Sequence, residues 1–425
     1  MFENCKGKKL LIIGVEENDS IVRAAQEMGV YVVLIDRNAD AFDTEGKHLA
    51  DEIWKMDYSD IDSVVKKCQE ENIDGLMTGY SEFKVLFAAK ISEKLGKPFY
   101  ATVDQVELTR NKRKFKDECI KYGVPLAKDY CFAKPLTQEE KEQVNYPVIV
   151  KPTDYAGKKG VSVCYNEEEL NEAITYALEY SQSKTIICED FIEGTEIMAI
   201  YTLVDGEASL SCLNEKYLAQ TDGRKTSLCH AAVSPSKYYN MFVETIDDKI
   251  KAFLKGIKAE NGVAFFQAIA NHKGITVFEM GYRLNGNNDC NVLEKYNNIN
   301  YMKMMISHSV TGHMGDDLKK DNPLGGKNRC SLYFYMNEGE VGKVDCSLLA
   351  DVDGIDDVHI YALEGRHITD EDNSQRRGVA VKLSADNLDA LAEKIDEVQQ
   401  KVIILNDKGE NMLFEPFDTN RLFEK

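Results

Sequence analysis

The sequence predicts a three-part protein of the α/β and α+β classes. An open parallel α/β domain covers residues 1–100, a larger domain covers 101–325, and a small α+β domain covers 326–425. Three observations predict this. Short apolar runs alternate with amphipathic helical stretches through the first part, which is the pattern of parallel α/β units. Breaks fall at Pro98 and at Asn322-Pro323-Leu324-Gly325-Gly326. Beyond the second break the chain turns to short strands and one long helix. A length of 425 residues also suits about three domains of ordinary size.

In the first part, 9–15 is an apolar run containing Gly14, 20–28 is an amphipathic helix closed by Gly29, and 31–35 is a second run that ends in Asp36. Residues 52–56, a helix over 60–72 and a run over 73–78 repeat the unit. The first turn, Gly14-Val15-Glu16-Glu17-Asn18, lacks GxGxxG, so no dinucleotide fingerprint is present. Ligands of open sheets lie beyond the carboxyl ends of the strands, which places Glu16, Ser81 and Glu82 either against a substrate or in ordinary polar loops.

The central part opens with a helical stretch over 102–122 carrying Arg110-Asn111-Lys112-Arg113-Lys114, and Gly123 and Pro125 end it. That cluster is either a phosphate contact or a solvated basic face. A buried strand over 146–152 has Lys151 at its exit. The loop over 153–161 combines two glycines with two lysines, so its amides can wrap phosphate oxygens. It lacks GxxxxGK[ST] and is not a P-loop. A glutamate-rich helix over 167–180 reads as a solvated face, and a strand then leads into Glu189-Asp190-Phe191-Ile192-Glu193-Gly194-Thr195-Glu196. Near the end of this part an apolar strand over 275–278 delivers Glu279 and, four residues on, Arg283 into a Gly/Asn-rich loop. A carboxylate suits Mg²⁺ that keeps phosphate oxygens as ligands, and arginine forks onto a phosphoryl group. The alternative is a strand ending in a salt-bridged turn. In the last part, strands are predicted over 329–335, 358–362 and 379–383, and a helix over 386–402.

Composition narrows the function classes. With 43% hydrophobic and 29% charged residues and 8 prolines, the chain is that of a folded protein. A net charge of −20 repels nucleic acid and anionic membranes, so neither is expected as a partner. No apolar run approaches the roughly 18 residues of a membrane span, and the first residues carry no signal-peptide core, so a cytoplasmic location is expected. The 11 cysteines show no CxxC and read as reduced thiols. His230 reads as a hydrogen-bonded interior histidine, with a ligand-facing role as the alternative.

Taken in order, the lysine cluster before Gly123-Val124-Pro125, the strand with Lys151-Pro152 and its glycine loop, the Glu189 segment and Phe278-Glu279-Met280-x-x-Arg283 resemble the ATP-grasp superfamily. The likeness spans roughly residues 8–400. It implies a pre-ATP-grasp N-terminal domain, an ATP-grasp domain with central and nucleotide-binding subdomains, and a C-terminal cap completing the site. It further implies that ATP and Mg²⁺ are cofactors. Lys112 and Lys151 would hold phosphates, residues 154–161 with Lys159 and Gly160 would form a flap, Glu189, Asp190 and Ile192 would read adenine, Glu196 would hold the ribose, and Arg283 would contact the transferring phosphoryl group. Glu279 would bind metal. The resemblance departs from its pattern at the partner positions, where Gln267 stands twelve residues before Glu279 and Gly281 two after it. Loss of one negative charge is not trivial, since unit charges about 4 Å apart interact by on the order of 4 kcal/mol near a dielectric of 20. Asp289 is the first candidate to compensate.

The expected function is that of a carboxylate–amine ligase of the carbamoyl-phosphate synthase-like branch. It would activate a small carboxylate as an acyl phosphate and pass it to an amine. Asn285 and Asn287 would hold the carboxyl substrate. Arg376 and Arg377 either bind a second carboxylate or are surface arginines in a turn. A homodimer is a family expectation. The alternative, prompted by Gln267, is an ATP-binding sensor or scaffold without turnover.

Overall fold

The alternating runs of the first part fold into β1 (Lys9–Ile13), β2 (Tyr31–Ile35), β3 (Glu52–Trp54) and β4 (Gly75–Thr78), all parallel in the order β3-β2-β1-β4. The structure is a computed structural model that describes residues 2–15, 18–41, 44–130, 136–155, 159–221, 224–286, 289–315, 318–369 and 376–424. Helices cover both faces of this sheet. Leu10 and Ile12 of β1 therefore enter one apolar cluster and Leu11 and Ile13 another. Burying each such side chain stabilises the fold by about 1.5–3 kcal/mol. The parallel unit expected from the sequence is present.

The stretch expected as one helix over 102–122 is two, Val103–Arg110 and Lys112–Lys121. Asn111 causes the break. Its backbone is extended and its side-chain oxygen accepts from the amides of Arg113 (3.0 Å) and Lys114 (3.1 Å), so it caps the second helix. Lys112 thus becomes a first-turn residue, and its amide donates to the Thr153 carbonyl at 3.1 Å.

Next comes a three-stranded antiparallel sheet, β6-β5-β7, made of β5 (Val148–Pro152), β6 (Ser162–Cys164) and β7 (Ile186–Asp190). Helix Glu167–Tyr180 lays Leu170, Ala173, Ile174 and Ala177 against it and leaves its glutamates outward, as the sequence suggested. Six strands follow: β8 (Thr195–Val204), β9 (Glu207–Thr221), β10 (Arg224–Ser234), β11 (Gly262–Asn271), β12 (Gly274–Gly281) and β13 (Asn328–Tyr335). The last five are β14 (Gly339–Asp345), β15 (Ile355–Ile360), β16 (His367–Ile368), β17 (Arg377–Ala385) and β18 (Ile403–Asn406). Eight of these strands form one sheet in the order β12-β11-β8-β9-β10-β13-β17-β15. Strands from both sides of residue 325 therefore share a single ladder, through the antiparallel pairing of β10 with β13. A small sheet, β16-β14-β18, and helix Leu388–Lys401 complete the C-terminal part.

Cysteines among the described residues are free thiols, most of them buried. No helix among the described residues is long and apolar enough to cross a membrane. His230 is buried against the Phe417 ring, with centroids 5.8 Å apart, and burial lowers its imidazole to about 4; burial does the same to His308. A histidine held below its ordinary 6.5 contributes stability that is present above 6.5 and is lost as pH falls towards 4. Each contributes on the order of 3 kcal/mol. Urea titrations should therefore show stability dropping on acidification through this window, and a shallower drop in His230→Phe.

Candidate active site

The site is built outward from β12. Gln267 on β11 lies directly opposite Glu279, and the register then skips Phe278, a bulge of the kind that re-aims side chains beside sites. Opposed residues share a face, and Gln267 Nε2 stands 3.4 Å from Glu279 Oε2. Farther across the sheet, Glu196 of β8 pairs with Lys216 of β9. The Lys216 ammonium donates to Glu196 Oε1 at 2.7 Å and to Gln267 Oε1 at 2.9 Å. From the other side Lys112 Nζ lies 3.9 Å from Glu279 Oε1 and donates to the Tyr155 carbonyl at 2.9 Å. One row thus reads Glu196, Lys216, Gln267, Glu279, Lys112.

A second set of charges comes from the three-stranded sheet. Lys151 on β5 and Lys116, one turn after Lys112, both ion-pair with Glu189 of β7. Lys116 is 5% exposed and Glu189 3%, so this is a buried triad. Burial pushes the Glu189 carboxyl up, but the Lys151 and Lys116 ammoniums outweigh it and the net shift is downward. Asp129 extends the chain, accepting from Arg113 at 2.6 Å and lying 3.7 Å from Lys116. Lys151 Nζ also sits 5.8 Å from the centre of the Phe278 ring, which brings this sheet against β12.

Arg283 follows β12. Its guanidinium lies over the Phe265 ring at 5.0 Å, and one terminal nitrogen is 3.4 Å from Glu82 Oε1, while its Nε is buried without a partner. Glu82 begins the helix after β4, so the N-terminal domain reaches the site through it. Burial raises the Glu82 carboxyl, Arg283 opposes this, and Glu279 adds to it. Phe265 also explains Gly281. A Cβ there would come within 2.3 Å of the ring, so the asparagine of the resembled pattern does not fit. Gly281→Asn should cost about 1–3 kcal/mol through overpacking, read as a lower melting temperature with no gain in metal affinity.

The structure thus brings together Lys112, Lys151, Glu189, Glu196, Gln267, Glu279 and Arg283. Gly160 is buried at φ +76° against Pro152 and Ala177, whereas Lys159 beside it is exposed. Asp190 accepts from the Tyr130 hydroxyl at 2.7 Å, and its amide donates to the Lys128 carbonyl at 2.9 Å; Ile192 is half-buried. Asn285 is buried with its amide 3.5 Å from the Tyr301 hydroxyl. Asn287, Glu16 and flap positions 156–158 lie outside the described residues.

Two expectations are corrected. Asp289 does not compensate for Gln267. Its carboxylate accepts from Ser331 of β13 at 3.1 Å and lies 3.9 Å from Lys382 of β17, and β13 is separated from β12 by four intervening strands. The loop after Arg283 carries it across the sheet. Nor are Arg376 and Arg377 surface arginines in a turn: Arg376 is buried and Arg377 begins β17, where neighbouring residues project to opposite faces. Arg376 is buried over Phe414 and donates to the Met336 carbonyl at 3.0 Å, while Arg377 stacks on Tyr333 (4.6 Å) and Tyr361 (5.6 Å). Lys116 and Lys216 were missed. Helical spacing of four from Lys112 could have flagged the first, but only the strand register reveals the second.

A sequence model described as "ATP-grasp N-terminal domain" matches residues 22–99, and one described as "D-ala D-ala ligase C-terminus" matches 120–221. These two matches, over less than half of the chain, agree with the resemblance to ATP-grasp proteins read from the sequence. Among curated relatives, phosphoribosylamine–glycine ligase of Fusobacterium nucleatum is 26% identical over 238 residues, covering 52% of this chain and 56% of that protein. Carbamoyl phosphate synthase large chain of Clostridium acetobutylicum is 23% identical over 319 residues, covering 71% of this chain and 28% of that protein. The chain therefore matches just over half the length of the first relative and under a third of the second. In fold it is similar to L-amino acid ligase from Bacillus licheniformis, at TM-score 0.79 and 18% identity over 94% of this chain and 99% of that one. Phosphoribosylglycinamide synthetase from Anaerococcus prevotii gives TM-score 0.77 and 21% identity, over 94% and 100%. The chain thus shares its overall fold with these two enzymes.

Proposed function

We propose that this chain is an ATP-dependent carboxylate–amine ligase, activating a small carboxylate as an acyl phosphate and joining it to an amine with release of ADP and phosphate. The observation that carries this reading is that cations from three separate elements lie along the end of β12: Lys112 is 3.9 Å from Glu279, Lys151 is over the neighbouring Phe278 ring, and Arg283 follows four residues after Glu279. In a chain of net charge −20, so local a gathering of cations suits a polyphosphate.

In this reading Lys112 and Lys151 hold phosphates, Glu196 the ribose, and residues 189–192 the adenine. Arg283 leaves Glu82 for the transferring phosphoryl group, where a guanidinium stabilises charge that grows in the transition state. Lys159 and Gly160 border the flap, and Asn285 and Asn287 flank the carboxyl substrate. Arg377, held in its tyrosine cage, faces a second carboxylate. The donor set suits one Mg²⁺ on Glu279 that shares its shell with phosphate oxygens. The Gln267 oxygen accepts from Lys216, and the described residues gather no group of three or more His, Cys, Asp or Glu, so phosphate oxygens and water would supply most of the ion's shell. A bound Mg²⁺ would neutralise phosphate charge and align the triphosphate.

The test is ADP release from ATP and Mg²⁺ with pooled amino acids and small carboxylates, compared with Glu279→Ala and Lys151→Met. Release that requires one acid and one amine, and that disappears in both variants, supports the ligase. The amide at 267 favours a second reading, a nucleotide-binding sensor, whose mark is tight ATP binding with no ADP from any pool.

A further inference from the structure

We propose that a small cavity beside Asp289 receives a hydroxyl group of the substrate, so that this chain selects a hydroxylated carboxylic acid. The inference rests on the reading above that Asn285 flanks the carboxyl substrate. Its basis is two buried polar atoms that face one space. Asp289 precedes the helix Cys290–Asn297, yet its side chain does not cap it, and Oδ1 instead accepts from Ser331 at 3.1 Å. Its Oδ2 is buried without a partner among the described residues. The same holds for Nε of Arg329, whose terminal nitrogens donate to Asn297 and to the Pro323 carbonyl. Asp289 is 7% exposed and Arg329 3%, and both line a cavity of about 20 Å³ with Cys212, Asn214, Ser234 and Lys382. A group that enters must donate to Oδ2 and accept from Nε. An ammonium offers no acceptor and a carboxylate no donor, whereas a hydroxyl offers both. Size agrees, because about 20 Å³ admits one water-sized group and no carboxamide.

Position ties this cavity to the substrate by two routes. The first is the sheet register, in which Glu196 opposes Lys216, Lys216 opposes Ala232, Ala232 opposes Ser331 and Ser331 opposes Lys382. Opposed residues share a face, so the cavity lies on the same side of the sheet as the candidate nucleotide site. The second is Tyr301, whose hydroxyl is 3.5 Å from the Asn285 amide. Burial raises this hydroxyl most, and Cys290, Asp289 and Cys212 stand close enough to add to the rise. Tyr301 thus links the loop after Arg283 to the cavity. Since Asp289 is held on β13 and β17, strands away from Glu279, the hydroxyl belongs to the end of the acid remote from the carboxyl that is activated.

The experiment uses probe pairs that differ by one hydroxyl at increasing reach: serine and alanine, homoserine and 2-aminobutyrate, 5-hydroxynorvaline and norvaline, tyrosine and phenylalanine. Calorimetry with Mg²⁺ and a non-hydrolysable ATP analogue measures their binding to the full chain, and ADP release from ATP measures turnover. In at least one pair the hydroxylated member should bind at least about tenfold more tightly, the worth of one hydrogen bond to a charged group. Ala232 also lines the cavity, from β10, so Ala232→Val should fill it and erase that preference while the unhydroxylated member binds as before. Asp289→Asn should shrink the preference. Thermal melts verify folding, and Ala232→Val gives an answer even if Asp289→Asn is unstable. Affinities equal to within about twofold in every pair, or a preference that survives Ala232→Val, would overturn the inference and assign the cavity to water, with the ligase reading untouched. A hydroxyl preference in binding with no ADP from any acid would uphold the cavity's assignment and overturn the ligase reading.

Discussion

Replacing Lys151 with methionine should lower ADP release by about 10²–10³-fold, the usual loss when one preorganised donor to developing transition-state charge is removed. The residue's setting is why the loss should be large. Lys151 leaves β5 with its stem buried, Glu189 holds the ammonium, and the Phe278 ring lies beneath it. A donor so positioned needs no reorganisation when the phosphoryl group moves. Methionine retains the apolar stem, so packing changes little and the effect belongs to the charge. Single-turnover measurements should place it mainly in the chemical step, with a smaller loss in nucleotide affinity. An unchanged rate would remove Lys151 from the catalytic assembly and with it the proposed orientation of ATP.

Glu189→Leu should be the most destabilising single change in the site, at on the order of 3–5 kcal/mol, because it strands buried charge. Glu189 is the only carboxylate ion-paired with both Lys116 and Lys151 among the described residues. Without it, the buried Lys151 ammonium loses its ion-pair partner and Lys116 keeps only Asp129 at 3.7 Å. Urea denaturation followed by fluorescence measures the loss. Adding Lys116→Met should restore part of it, since removing both partners of a buried pair costs less than removing one. If Glu189→Leu is as stable as the wild-type chain, the triad does not hold the β6-β5-β7 sheet together. Sign and pH agree with this assignment. The Glu189 carboxyl is held below its ordinary range, so its contribution is complete above that range and is lost as pH falls through the lowered value.

What could be read from the sequence, and what could not, divides along physical lines. Lys151, Glu279 and Arg283 were legible because each sits at the end of an apolar strand, and strand ends deliver side chains to a common edge. The parallel order of the N-terminal sheet followed from alternation alone. Lys216 was not legible. Its partner Gln267 is 51 residues away, and they meet only because β8 lies between β9 and β11, an order that local pattern does not encode. Asp289 shows the converse error. It is close to Arg283 in sequence and was expected near the metal, but the intervening loop carries it to Ser331 and Lys382 on the far strands. The break at Asn111 lay in view, since asparagine is a favoured helix cap, yet the basic cluster around it hid the signal under good helix formers.

The eight-stranded sheet has a consequence for how this gene product could be cut or combined. A chain ended near residue 325 would leave β10 with a bare edge where β13 now pairs, from Ala231 opposite Leu332 to Ser234 opposite Arg329. It would also remove the Arg329 guanidinium that donates to the buried Asn297 side-chain oxygen. Bare edges of that kind recruit other chains and aggregate. The final hundred or so residues are therefore not a cassette to be traded between ligases or trimmed for expression, and any hybrid protein would have to exchange its segments outside this ladder.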